Sequence, residues 1–241
     1  MNLVVDIGNT QAKAAFFENN TIVNSWVGLD REGIRALINQ KRPTAMIVSS
    51  VAEPPTWLSD LMQQHPHYLL LDASTSLPFQ NLYKTPRTLG ADRIAGVAAA
   101  VHLFPGRQAL VIDAGSCITY DVVDQSLQYF GGSISPGIRM RCRAMHTFTS
   151  RLPLVDVDDT QQNTPLPGSN TKEALQSGAW HGTLAEITQM IRMYEDKFGN
   201  LQVVICGGDA VPLSQALQVE HRLIPELILI GLNTILAYNV S

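Results

Sequence analysis

One strand-and-turn phrase occurs twice in this chain. L-V-V-D-I-G-N-T at Leu3 to Thr10 returns as L-V-I-D-A-G-S-C at Leu110 to Cys117. In each copy, consecutive apolar and partly β-branched residues read as a buried strand. An Asp ends the strand, and a Gly two residues later allows a sharp turn with bare backbone. The continuations are alike as well. Ala12 to Phe17 and Thr21 to Val27 follow the first copy, split at Glu18-Asn19-Asn20; Ile118 to Val123 and Leu127 to Ile134 follow the second, split near Asp124-Gln125. Each half therefore opens as strand, turn, strand, turn, strand, which implies two similar α/β halves sharing a nucleotide.

An Asp at a strand end beside Gly, Asn, Thr or Ser suits phosphate and metal chemistry. Small residues let backbone N–H groups approach phosphate oxygens, and the carboxylate can hold a hydrated cation. A single D-x-G is commonly an ordinary turn. The repetition, with the same strands after each copy, favours the functional reading.

The chain has 241 residues, enough for one large domain or two small ones with a real core. A formal net charge of -4 argues against a nucleic-acid partner, and Arg139, Arg141, Arg143 and Arg151 read as a solvated face or a small-anion site. Cys117, Cys142 and Cys206 lack C-x-x-C spacing, which argues against a disulfide framework and a structural zinc site and for reduced thiols in the cytoplasm. No secretory signal is visible at the start. Leu227 to Tyr238 is apolar, interrupted by Asn233 and too short to span a bilayer, so it predicts a buried helix and no membrane partner.

Between these landmarks the pattern predicts a helix at Asp30 to Gln40 capped by Asp30, a strand at Thr44 to Val51, a helix from Pro54 or Pro55 to Gln63, and a short strand at Tyr68 to Asp72. Ala73 to Thr88 reads as an exposed loop before a helix at Ala91 to Phe104. Pro105-Gly106 marks the boundary between halves 1–106 and 107–241, with packing of the last helix back on the first half left open. In the second half, Pro136 to about His146 predicts a helix and Leu152 to Ser169 a mobile loop. Thr171 to Phe198 predicts one long helix, with Gly178 or Gly182 as candidate interruptions. Val203 to Cys206 predicts a strand, Gly207-Gly208 a turn, and Ala210 to Leu217 a short helix that accepts Pro212 in its first turn.

Asp92 is the carboxylate best placed for chemistry. In Gly90-Ala91-Asp92-Arg93 a polar loop enters an apolar helix; the carboxylate could accept a proton or hydrogen bond from a substrate hydroxyl while the guanidinium holds an anion. Capping plus a surface ion pair, with Asp favoured in a first turn by the helix dipole, is the competing reading. Gly207-Gly208-Asp209, Gly131-Gly132 and Ser135-Pro136-Gly137 could bring backbone N–H groups to an anion, though each is also common loop chemistry. There is no G-x-x-x-x-G-K-[ST], no G-x-G-x-x-G after the first strand and no G-x-S-x-G. His65, His67, His102, His146, His181 and His221 lack ligand spacing and read as solvated.

Taken together, these residues resemble the type III pantothenate kinases of the acetate and sugar kinase, Hsp70 and actin superfamily, along nearly the whole chain. The resemblance is carried by D-I-G-N-T at Asp6 to Thr10 with Lys13, by Tyr83 with Pro86, and by G-A-D-R at Gly90 to Arg93. D-A-G-S at Asp113 to Ser116, G-G-S-I-S-P-G at Gly131 to Gly137, T-K-E-A at Thr171 to Ala174 and G-G-D-A at Gly207 to Ala210 complete it. The resemblance implies two actin-like, ribonuclease H-like halves, each with a mixed sheet flanked by helices. It also implies phosphorylation of pantothenate by ATP, the first step toward coenzyme A.

The implied roles follow residue by residue. Asp6, Ile7, Gly8, Asn9, Thr10, Gln11, Ala12 and Lys13 would form the ATP phosphate loop, with Asp6 near Mg²⁺, and Ser116 would touch ATP. Asp113 would hold a monovalent cation, potassium or ammonium. Tyr83, Gly90, Ala91, Asp92, Arg93 and Thr171 would contact pantothenate, Asp92 as the base and Thr171 across a homodimer interface. Ser116 stands where the family commonly has Thr, which keeps the hydroxyl. Cys206 replaces another usual Thr, which loses one. Another small-molecule kinase of the same superfamily and a non-catalytic accessory protein are the alternatives.

Overall fold

A computed structural model describes residues 1–8, 11–50, 56–58, 67–156 and 164–240. The chain forms two compact units. The first comprises Met1–Gly106, Gln125–Gly131 and Glu226–Ser241; the second comprises Arg107–Asp124 and Gly132–Pro225.

The first unit is built on β1 (Asn2–Ile7), β2 (Ala12–Glu18), β3 (Thr21–Leu29), β4 (Ala45–Ser50) and β5 (Tyr68–Leu70), in the order β3-β2-β1-β4-β5. β1 runs antiparallel to β2 and parallel to β4. Leu3, Val4 and Val5 are all fully buried, which accounts for an unbroken apolar run in place of alternation. On one face Leu3, Val5, Phe16, Met46 and Val48 pack with Ile34, Leu37 and Ile38 of α1 (Arg31–Lys41). Asp30 caps α1 as expected, its Oδ1 accepting from the Gly33 N–H at 2.8 Å. Of the helix expected at 54–63, residues 56–58 are helical and the rest lies outside the described residues.

Two further helices complete this unit, α2 (Ala91–Leu103) and α6 (Leu227–Val240). They approach so closely that a Cβ on Gly231 would sit 1.7 Å from the Ala95 carbonyl oxygen. Alanines along α2 make that approach possible. Asn233, 2% exposed, is satisfied in this apolar setting: it accepts from Asn2 Nδ2 and donates to the Asn19 carbonyl. The stretch expected as a loop at 73–88 contains β6 (Gln80–Asn81), paired with Gln128 and Tyr129, and a 3-10 turn at Pro86–Thr88.

The second unit repeats the plan. β7 (Ala109–Ala114), β8 (Cys117–Val123), β9 (Gln128–Pro136, its first residues in the first unit), β10 (Gln202–Cys206) and β11 (Arg222–Leu223) follow the order β9-β8-β7-β10-β11. β7 is antiparallel to β8 and parallel to β10. Leu110, Ile112, Tyr120 and Ile205 pack with Trp180, Ile187 and Ile191 of α4 (Thr171–Phe198). α4 runs uninterrupted through Gly178 and Gly182, where an added Cβ would meet open space. α3 (Ile138–Thr147) and α5 (Ala210–Ala216) complete the unit. Pro136 ends β9 and does not start α3; Gly137 is the N-cap. Residues 157–163 of the segment expected as a loop lie outside the described residues. Among the described residues, no helix is long and apolar enough to cross a membrane.

Candidate active site

The two repeated phrases occupy matching places in their sheets. Asp6 is the fifth residue of β1 and Asp113 the fifth of β7, each flanked by an antiparallel and a parallel neighbour. The flanking residues differ. Asp6 pairs with Lys13 and Ser49, whereas Asp113 pairs with Thr119 and Cys206. The first site has a cation and a hydroxyl beside its carboxylate; the second has a hydroxyl and a thiol.

In the first unit, Ser49 Oγ donates to Asp6 Oδ1 at 2.7 Å. Burial pushes the Asp6 carboxyl above the ordinary aspartate value, the Ser49 bond pulls it down, the Asp92 carboxylate pushes it up and the Lys13 ammonium pulls it down; the net direction is upward. The structure thus brings Asp6, Lys13 and Asp92 within electrostatic reach of one another. Ile7 pairs with Ala12 beyond Asp6, and a Cβ on Gly8 would lie 3.4 Å from the Gln11 carbonyl oxygen. Asn9 and Thr10 lie outside the described residues.

Asp92 enters α2 in the first turn, and its Oδ1 accepts from the Arg93 N–H at 2.8 Å. The preceding Gly90 has φ -61, a value open to any residue. A Cβ on Gly90 would lie 2.3 Å from Asp92 Oδ1, so any side chain there would displace the carboxylate. The helix accordingly starts with no side-chain cap, and the N-cap position is kept clear for Asp92.

Arg93 is buried, with its guanidinium carbon 5.5 Å from the centre of the Tyr83 ring. Tyr83 stacks on Tyr129 at 6.3 Å and 22°, and Phe79 meets the other ring of that pair edge-on at 5.9 Å. Gly131 has φ +92 and faces Tyr83, where a Cβ would lie 2.8 Å from the ring. Tyr83 is therefore held by Tyr129 and Gly131 and presents its ring to Arg93.

In the second unit, the turn after Asp113 is crossed closely by two other turns. Gly207, at φ +100, sits where a Cβ would be 2.4 Å from Asp113 Oδ1 and 2.5 Å from the Ala114 carbonyl oxygen. The Asp209 N–H donates to that carbonyl at 2.9 Å. From the other side, the Gly137 N–H donates to the Ser116 carbonyl at 3.1 Å, and a Cβ there would reach within 2.3 Å of the Gly115 oxygen. Arg139 Nη1 lies 3.5 Å from Asp209 Oδ1. Thr171 is exposed at the start of α4, whose N-cap Asn170 accepts from the Glu173 N–H at 3.0 Å.

Some surroundings differ from expectation. Arg141 is pinned by an ion pair to Glu186 and is not on a solvated face. His181 and His221 are half-buried and bond main-chain carbonyls, whereas His146 is exposed as expected, its ring bonded to the Leu152 carbonyl. Ser49, Tyr129 and Glu186 escaped notice because each acts through a partner distant in sequence. Only Ser49 carried a signal, as a polar residue ending an apolar strand. Among the described residues no group of three His, Cys, Asp or Glu side chains could hold a metal ion.

Comparison with known proteins identifies the family and the fold. Residues 2–193 match the family model described as type III pantothenate kinase. A protein of Christiangramia forsetii named type III pantothenate kinase is 41% identical over 99% of both chains. Among solved structures, a Campylobacter jejuni protein described as a conserved member of a Baf family of transcriptional activators superposes with a TM-score of 0.61 at 23% identity, covering 98% of each chain. The ROK hexokinase of Thermus thermophilus gives 0.56 at 13%, covering 99% of each. These two likenesses establish the sugar-kinase-type fold of two mixed sheets flanked by helices. The sequence match goes further: the chain belongs to the type III pantothenate kinase family.

Proposed function

We propose that this protein transfers the γ-phosphoryl group of ATP to the primary hydroxyl of pantothenate, giving 4'-phosphopantothenate, the first step toward coenzyme A. Family membership over the whole chain supports the reaction. The observation that carries the site is the placing of Asp6 at the end of β1, bonded by Ser49, and of Asp92 in the first turn of α2, the Asp92 carboxylate adding to the upward shift of the Asp6 pKa.

Asp92 is the base in this reading. It orients the pantothenate hydroxyl and takes its proton late in a loose transition state, so position counts for more than basicity. Tyr83, Gly90, Ala91 and Arg93 bind pantothenate, the stack beneath Tyr83 fixing the Arg93 guanidinium. Thr171 completes the pocket from the partner chain of a homodimer. Residues 6–13 cradle the phosphates, Lys13 offsets charge on the transferred group, and Ser116 contacts ATP.

Asp6 fits a divalent cation: burial and Asp92 both disfavour its bare anion, which a bound cation would relieve. Mg²⁺ held there supplies charge neutralisation on the phosphates. Asp113, the strand-end carboxylate of the second unit, suits a monovalent cation, potassium or ammonium, as a hard oxygen donor. The three free cysteines support a cytoplasmic setting.

The test is purified protein with ATP, Mg²⁺ and pantothenate, with and without potassium, read by product mass. A product heavier by one phosphoryl group is expected. Phosphorylation of a sugar with pantothenate untouched would select another kinase specificity, and ATP binding without turnover a regulatory role.

A further inference from the structure

Glu186, near the middle of α4, gathers three donors from three different elements. Its Oε1 accepts from the Tyr120 hydroxyl of β8 at 2.9 Å and from Ser135 Oγ at the end of β9, and its Oε2 is paired with Arg141 Nη2 of α3. Arg141 has a second bond, from Nε to the Pro136 carbonyl at 2.9 Å. Ser135 and Pro136 are thus both tied to Glu186, one directly and one through Arg141. The next residue is Gly137, whose N–H donates to the Ser116 carbonyl and whose α-carbon lies against Gly115.

Gly137 links this cluster to the turn, through its N–H bond to the Ser116 carbonyl. We propose that Glu186 is a positioning residue for the nucleotide turn, holding Ser135-Pro136-Gly137 against Gly115-Ser116 so that the Ser116 hydroxyl is presented to ATP. This rests on the reading of Ser116 as an ATP contact. Three charge-assisted donors in a half-buried place make the hold firm. They also keep the carboxylate ionised: burial alone would push its pKa up, but the Ser135, Arg141 and Tyr120 bonds more than offset that and bring it below the ordinary glutamate value.

The experiment compares the wild type with Glu186→Gln, Ser116→Ala and the double variant, measuring binding of a non-hydrolysable ATP analogue and the two Michaelis constants. Glu186→Gln keeps the shape and removes the charge that grips Arg141. It is expected to weaken nucleotide binding and raise the ATP KM about 10-fold, leaving the pantothenate KM unchanged, as losses of supporting contacts do. The double variant should bind no worse than Ser116→Ala. Ser135→Ala, which removes one donor only, should weaken the nucleotide about threefold and serves where Glu186→Gln fails to fold. Weakened binding in Ser116→Ala with normal binding in Glu186→Gln and Ser135→Ala would overturn the positioning role alone. Equal losses for ATP and pantothenate would overturn it too, as general damage to the fold. Normal nucleotide binding in Ser116→Ala would overturn the reading of Ser116 and the positioning role with it.

Discussion

Ser49 Oγ donates a 2.7 Å hydrogen bond to Asp6 Oδ1 across the parallel β1–β4 pair, at the register position that Cys206 occupies beside Asp113. Ser49→Ala removes the strongest influence favouring ionised Asp6. A hydrogen bond to a charged group contributes about 1.5–3 kcal/mol, so kcat/KM should fall about 10-fold or more at slightly acid pH. Its acid limb should shift to higher pH, and raising Mg²⁺ should recover part of the loss. A pH–rate profile at two Mg²⁺ concentrations checks this.

Asp6→Asn should separate stability from activity. Burial, with Asp92 adding to it, raises the folded-state Asp6 pKa above the ordinary value of 3.8, so the ionised form penalises the folded state. That penalty is absent below the unfolded pKa, grows as pH rises toward the folded value and is complete above it. The variant should therefore melt a few degrees higher than wild type at pH 7 without Mg²⁺, about 1 kcal/mol corresponding to roughly 2–4 °C at this size. The gain should vanish near pH 3, while turnover is lost at every pH. Thermal melts across pH without metal provide the measurement.

Gly90→Ala places a methyl group where the Asp92 carboxylate now lies. The backbone there tolerates alanine, so folding should be little affected, but the carboxylate must move. A displacement on the order of 1 Å can cost about 10²-fold in kcat. Asp92→Asn should cost about 10² to 10⁴-fold. In the double variant the Gly90 change should add almost nothing further, because both changes act on one group. Steady-state kinetics with ATP binding measured separately tests both statements.

Gly207→Ala meets two obstacles, a φ of +100 and a Cβ 2.4 Å from Asp113 Oδ1. If Asp113 holds potassium, the variant should lose the rate advantage of potassium over sodium, the two salts giving the same low rate. A retained potassium preference would remove Asp113 from that role.

The doubled phrase made the paired sheets legible in the sequence, because a buried strand ending in Asp and turning at Gly leaves few alternatives. Asp30 and Asn233 illustrate two different outcomes. The Asp30 cap was readable from its neighbours alone, whereas Asn233, seen only as a break in an apolar run, is held by Asn2 and Asn19 from the far end of the chain. The same division runs through the site. Gly90 and Asp92 are adjacent and stood out together; Ser49, Tyr129 and Glu186 are assigned by strand register, ring stacking and helix packing. Pro136 shows a further kind of miss: a residue suited to opening a helix can equally end a strand when the following glycine supplies the turn.

The last helix of the chain, Leu227–Val240, belongs to the first unit and packs against α2 there. As the ribosome releases the chain from its N-terminus, the strands from Asn2 to Leu70 emerge early and must wait for the final stretch before that layer is complete. All segments of the second unit have emerged by Pro225. The order of completion is thus the reverse of the order of synthesis. A nascent chain truncated before Glu226 should expose the apolar face of α2 to chaperones, and deletion of the C-terminal segment should harm the N-terminal unit first.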